Sequence, residues 1–175
     1  FKIASASPEL FLSREGSAVK TSPIKGTQTL GEQGFGSKDQ SENVMIVDLM
    51  RNDFGRICEP GSVDVSQLLR SEEHPGLRHL VSDVVGELRK DISWDEIFKA
   101  LLPAGSISGA PKSSALSVIA ENEESKRGPY CGVLGWVEGD RAEISVAIRI
   151  FWQENDGLLK FGTGAGITYG SDPVS

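Results

Sequence analysis

Apolar and polar positions alternate with period two at the start of the chain, shift to a longer period in the middle and return to alternation toward the end. Residues 1–6, 9–14 and 17–22 are predicted as short strands joined by turns. From Ser37 to Gly55, polar cap candidates lead into a dense apolar run that closes at Asn52 and Gly55. Its length and end signals predict a buried helix. The stretches 62–69 and 77–88 alternate again and are rich in valine, which favours strands. Over 93–102, Ser93 and Glu96 have the spacing of a capping box, Ile97, Leu101 and Leu102 form an apolar stripe, and Pro103 ends the helix. A glycine-rich loop precedes a second amphipathic helix over 112–124. From Cys131 the pattern is a meander, with strands over 131–137, 142–152 and 158–168. Strands in runs with helices between them predict an α+β fold with antiparallel sheet, not a doubly wound parallel one.

Composition narrows the function classes. At 175 residues, 38% hydrophobic and 25% charged, the chain fits one globular domain that can bury its own core. A formal charge of −7 argues against a nucleic-acid or polyphosphate surface, because phosphate neutralisation needs basic residues. A small anionic ligand held locally stays open. The chain has no apolar run of bilayer length and no basic-then-apolar leader, so it reads as soluble, with no membrane partner. Cys58 and Cys131 make no disulfide framework and have no metal-like spacing. Two thiols in an acidic chain fit the cytoplasm.

Several residues carry candidate chemistry. Lys25, in "SPIKGT", lies in a directed turn between a φ-locking proline and a permissive glycine, as a solvated loop charge or as a nucleophile. Asp39 and Glu42, on one face of the first helix, are either a solvated acidic start or oxygen ligands for a hard cation. "PAGSISGAPK" is either a turn or a set of backbone N–H groups for an anion. It is not a Walker loop. "FGTGAG" at 161–166 would let a carboxylate approach the main chain, and a tight bulge explains it equally well. His79 is a satisfied structural residue or a proton-transfer partner. Arg149, in an apolar strand, needs an anion, either an internal carboxylate or that of a ligand.

Together, "SASPELFL", "SPIKGT", "SENVMIVDLMRNDFGR", "HLVSDVVGEL", "PAGSISGAPKSSAL", "RGPYCGVLGW", "VAIRIF" and "GTGAGITYGSDP" stand in the order seen in the chorismate-utilising enzymes. The chain resembles that family nearly end to end. The family includes anthranilate synthase component I, aminodeoxychorismate synthase component I and the isochorismate and salicylate synthases. The resemblance implies two large antiparallel sheets packed together with helices outside. It implies that Glu42 ligates magnesium with Asp39 in support, the ion holding the ring carboxylate of chorismate. Tyr130 and Arg149 match positions that contact the enolpyruvyl carboxylate, and Gly164, Ala165 and Gly166 match backbone that closes on a substrate carboxylate. His79 and Ser106 match polar residues of the same pocket. Lys112, in "GAPK", aligns with a family-signature lysine and receives no chemical role.

The position of Lys25 sorts the family's reactions. Anthranilate and isochorismate synthases resemble "PIAGT" or "PLAGT" there, whereas "PIKGT" is similar to aminodeoxychorismate synthase component I of the folate pathway. The resemblance implies that Lys25 attacks the ring and Glu9 is the general acid. The ammonia would come from a glutamine amidotransferase. It also implies that residues 1–175 form the chorismate-binding catalytic domain without the family's N-terminal part or its C-terminal metal-site helix, so that the isolated chain is expected to be inactive. The alternatives are anthranilate synthesis on the same fold and a non-catalytic fragment.

Overall fold

The structure, a computed structural model, describes residues 1–32, 34–167, 171 and 172. Thr168, at the end of the last predicted strand, and the motif positions Tyr169, Gly170 and Pro173 lie outside the described residues. The elements in order are β1 (Lys2–Ser5), β2 (Leu10–Glu15), β3 (Ala18–Ser22), β4 (Ile24–Thr29), α1 (Ser37–Gly55), β5 (Asp64–His74), β6 (Leu77–Glu87), α2 (Trp94–Leu101), α3 (Gly105–Ser108), α4 (Lys112–Asn122), β7 (Val133–Glu138), β8 (Arg141–Val146), β9 (Ile150–Gln153) and β10 (Leu159–Gly162).

Two antiparallel sheets result, as the α+β expectation requires. The larger has seven strands, running β4, β6, β3, β2, β8, β7, with β5 also paired to β6. The smaller is β1, β9, β10. Strand β6 organises the large sheet. Its C-terminal half pairs with β3 (Ala18 opposite Glu87) and its N-terminal half with β4 (Thr27 opposite His79). Pro23 sits at the β3–β4 break, where it has no N–H to donate, and its carbonyl still accepts from Ser82 N at 3.2 Å. Lys25 therefore stands on a strand and not in the turn that its neighbours suggest, because tertiary pairing with β6 outweighs the local proline and glycine signals.

Helix α1 lies over this sheet. Ile46, Val47, Met50 and Phe54 are buried on the face that meets Phe11, Leu12, Val84 and Ile144. Asp39 Oδ2 accepts from Gly36 N at 3.3 Å in the first turn. In α2 the predicted box forms, with Glu96 N donating to Ser93 Oγ at 3.3 Å and Ser93 N to Glu96 Oε2 at 2.9 Å. Ile97 and Leu101 are buried, but Leu102 caps the helix and turns outward.

Further expectations change. The predicted strand 158–168 is a strand only over β10, Leu159–Gly162. The predicted strand 142–152 divides into β8 in one sheet and β9 in the other, with Arg149 at φ 47° in the break. An arginine expected inside an apolar strand is thus exposed at a crossing. Helix α4 buries no residue, and its Leu116 and Val118 face outward, so it is not the amphipathic core helix its sequence suggests.

Candidate active site

The chain passes between the sheets in adjoining segments. Residues 6–9 link β1 to β2, and 147–149 link β8 to β9. Residues 131–132 bind to the second crossing through Cys131 N to Ala147 O (2.9 Å) and Ala147 N to Gly132 O (2.8 Å). Ala6 N donates to Arg149 O at 3.1 Å, and Val146 N to Glu9 O at 3.0 Å. Glu9, Tyr130 and Arg149, distant in sequence, thereby come to one junction.

The large-sheet side of the junction holds most of the reactive groups. Lys25 Nζ donates to the carbonyl of Ser106, in the single turn of α3, at 2.8 Å. Glu9 is buried, and that burial pushes its carboxyl above the usual carboxylate range. The Ser106 side chain, the Lys25 ammonium and the Ile24 backbone pull it back less strongly. A carboxyl in this setting holds its proton to higher pH than a solvated one and can donate it. Lys25, Glu9 and Ser106 are thus brought together from three elements.

His79 projects from β6 beside them. It is 2% exposed, and its Nδ1 lies 2.9 Å from Thr27 Oγ1. Its ring meets that of His74 edge-on, with centroids 5.2 Å apart. Desolvation, then the nearby charges of His74 and Arg149, hold its pKa below the ordinary value, which favours neutral imidazole. The Arg149 charge therefore reaches the His79 site across the junction. Thr27, absent from the sequence-derived site, supplies the partner that orients the ring. Its two-residue spacing from Lys25 was the available signal.

The start of α1 closes in from another side. Gly26, at φ 93°, lies so close to Asp39 that a Cβ there would stand 3.0 Å from Asp39 Cβ. Only glycine lets β4 and α1 approach this way. Glu42, one turn on, is half-buried and 4.0 Å from Lys38 Nζ. Asn43, beside it, is fully buried. It donates to Leu80 O at 3.2 Å and accepts from Ser82 Oγ at 2.5 Å, tying the rotation of α1 to β6. Among the described residues no three His, Cys, Asp or Glu side chains converge on a point. The pair Asp39 and Glu42 offers hard oxygen donors that suit magnesium completed by water and substrate, and Asp39 already gives one oxygen to the helix cap.

Tyr130 and the glycine-rich strand end form a second group. A Cβ on Gly162 would overlap the Tyr130 ring, and one on Gly164 would stand 3.1 Å from its hydroxyl oxygen. Burial, then the adjoining Cys131, pushes the phenol above its usual pKa, so it remains a neutral donor near neutral pH. Ala165 and Gly166 follow as exposed chain, with open space about Gly166. Among the described residues no hydrogen bond or ion pair joins this group directly to Lys25; Arg149 lies at the crossing that both adjoin.

The sequence profile of the chorismate binding enzymes matches residues 1–175. The chain belongs to the chorismate-binding enzyme family. It is 40% identical over 97% of its length to anthranilate synthase component 1 of Saccharolobus solfataricus, covering 43% of that protein. It is 39% identical over 99% of its length to aminodeoxychorismate synthase component 1 of Klebsiella aerogenes, covering 41% of that one. This member of the family spans less than half the length of these relatives. The crystal structure of anthranilate synthase component I from Streptococcus pneumoniae superposes with a TM-score of 0.75 at 36% identity, over 85% of this chain and 35% of that one. The menaquinone-specific isochorismate synthase of Escherichia coli has the same fold, with a TM-score of 0.85 at 23% identity, over 98% of this chain and 42% of the other. No helix among the described residues is long and apolar enough to cross a membrane.

Proposed function

We propose that the enzyme carrying this chain aminates chorismate to 4-amino-4-deoxychorismate, with Lys25 as a covalent nucleophile and Glu9 as the acid. The observation that supports this most is the convergence of the Lys25 amine, 2.8 Å from Ser106 O, with a buried Glu9 whose carboxyl is raised in pKa. Overall identity does not choose between the reactions, since the anthranilate and aminodeoxychorismate relatives stand at 40% and 39%. The lysine in "PIKGT" supports amination, through its resemblance to the aminodeoxychorismate group.

In this reading the free amine of Lys25 attacks ring carbon two. Both conjugated ring double bonds shift by one position, and the hydroxyl on carbon four leaves as water with the proton of Glu9. Ammonia then forms the bond to carbon four, both double bonds return, the Lys25 amine is expelled, and Glu9 takes back a proton from the new ammonium. Ammonia would be delivered by a glutamine amidotransferase. Arg149 and Tyr130 would hold the enolpyruvyl carboxylate, the main chain at Gly164, Ala165 and Gly166 a second carboxylate, and His79 would line the pocket as a neutral hydrogen-bonding group. Magnesium, held by Glu42 with Asp39 in support, would supply positive charge opposite the ring carboxylate.

The test is to incubate the purified enzyme with chorismate, ammonium and magnesium and separate the products. The expected product is 4-amino-4-deoxychorismate without pyruvate release, with a chorismate-derived mass trapped on Lys25 when ammonium is withheld. Fluorescent anthranilate with stoichiometric pyruvate would overturn the assignment.

A further inference from the structure

Lys112 has no part in the chemistry above, and its surroundings give it a different one. Its ammonium lies 2.5 Å from Asp53 Oδ2 and donates to Leu101 O at 2.9 Å. Three helices meet at that nitrogen: α1 near its C-terminal end, α2 at its last residue and α4 at its first. A cation there faces the negative end of α2. Asp53 is 3% exposed, and apart from this ion pair its Oδ2 finds no hydrogen-bond donor among the described residues. Burial pushes the Asp53 carboxyl above its ordinary range, with Lys112 opposing. Lys112 is the only cation within ion-pair distance of it among the described residues, with Arg56 acting from farther off, and a buried carboxylate is costly to leave without such a partner.

Leu101 and Lys112 also bracket the loop 102–111, so the contact between them staples the loop's two ends together. The loop is pinned to α1 at a second point. A Cβ on Gly105 would overlap the side chains of Leu49 and Met50, so the main chain rests directly on the helix. The next residue is Ser106, whose carbonyl receives Lys25 and whose side chain meets Glu9. We propose that Lys112 is a positioning residue: paired with Asp53 and Leu101 O, it clips the loop 102–111 to α1 and α2 and so sets Ser106 against Lys25 and Glu9. Its consequence for catalysis rests on the reading of Lys25 as the reacting amine, whereas the clip itself would serve any reaction at this site.

Lysine footprinting tests the clip without reference to turnover. The folded protein is acetylated under single-hit conditions, and Lys25 labelling is measured by mass spectrometry relative to exposed Lys38. Lys112→Met is expected to raise Lys25 labelling on the order of tenfold, as losing one charge-assisted hydrogen bond implies. Asp53→Asn raises it less, and Lys112→Arg, which keeps a cation at the site, stays near the parent. Unchanged Lys25 labelling in a folded Lys112→Met protein overturns the proposal. Should that variant not fold, unchanged labelling in Asp53→Asn does the same. In the active enzyme Lys112→Met lowers kcat with KM for chorismate held, and a rise in KM alone counts against positioning of the amine. If a different product forms, the reaction assignment falls while the footprint still decides the clip.

Discussion

The two sheets of this protein are built to different standards of burial. The large sheet closes a continuous core against α1 and α2, in which Leu12, Val84, Phe54 and Ile97 are wholly buried. The small sheet buries Ile150 and Trp152 on one face, and on the other leaves Phe151, Leu159 and Phe161 at 46%, 71% and 51% exposure. The residues assigned to bond-making and proton transfer, Lys25 and Glu9, and the pocket residues His79 and Ser106 beside them, lie on or against the large sheet. Those assigned to substrate carboxylates, Tyr130, Arg149 and Gly164, lie at the crossing and on the small-sheet side. Groups that need tight mutual geometry are carried by the region with the denser support.

The largest test of that division is chemical. Glu9→Gln keeps the shape but not the proton, and kcat should fall by about 10²–10⁴-fold in a steady-state assay of chorismate amination. A fall confined to KM would move Glu9 from acid to binding group. The same variant carries a stability prediction of opposite sense. Because the folded pKa of Glu9 is raised, its favourable contribution is complete below the unfolded carboxyl range and is lost as pH rises through the folded value. Glu9→Gln should therefore unfold at a higher temperature than the parent at pH 8.

Next in size is the core itself. Phe54→Ala should cost about 3–5 kcal/mol in denaturant unfolding, since it empties a fully buried site. A smaller effect follows from His79, whose folded pKa is depressed. Its contribution is intact above the unfolded imidazole range, about pH 6.5, and is lost as pH falls toward the folded value. His79→Gln should flatten that acid limb, and an unaltered limb would assign it to other groups. Smallest is Phe151→Ser, which loses a half-exposed ring packed on Phe161 at 4.6 Å between centroids and is expected to cost about 1 kcal/mol. A cost matching that of Phe54→Ala would erase the contrast between the sheets.

The fold class was readable because its signals are local. The dense apolar run marks α1 as a helix, although Gly36 and not a polar side chain stands at its N-cap, and the Ser93–Glu96 box marks the start of α2. The failures share one cause. Residues 142–152 alternate without interruption, yet the chain changes sheets at Arg149, a choice made by pairing with β1 on one side and β2 on the other. Lys25 looked like a turn residue because Pro23 and Gly26 flank it, and only its pairing partner β6 makes it a strand. The resemblance named Glu9, Tyr130 and Arg149, but nothing in their spacing placed them at one junction. Thr27 had only its two-residue spacing from Lys25 as a signal, Lys112 only its place in a family motif, and Asn43 and Asp53 nothing beyond their residue types.

The sequence by itself determined the α+β class, the helix bounds and, through ordered motifs, the family. These depend on periodicity, caps and residue identity, which are written along the chain. Tertiary structure alone decided that Lys25, Glu9 and Ser106 meet, that Arg149 is exposed at a crossing, and that Lys112 closes a loop on a buried carboxylate. Those outcomes depend on contacts between residues 16 to 97 positions apart, and only packing against shared neighbours brings such pairs together.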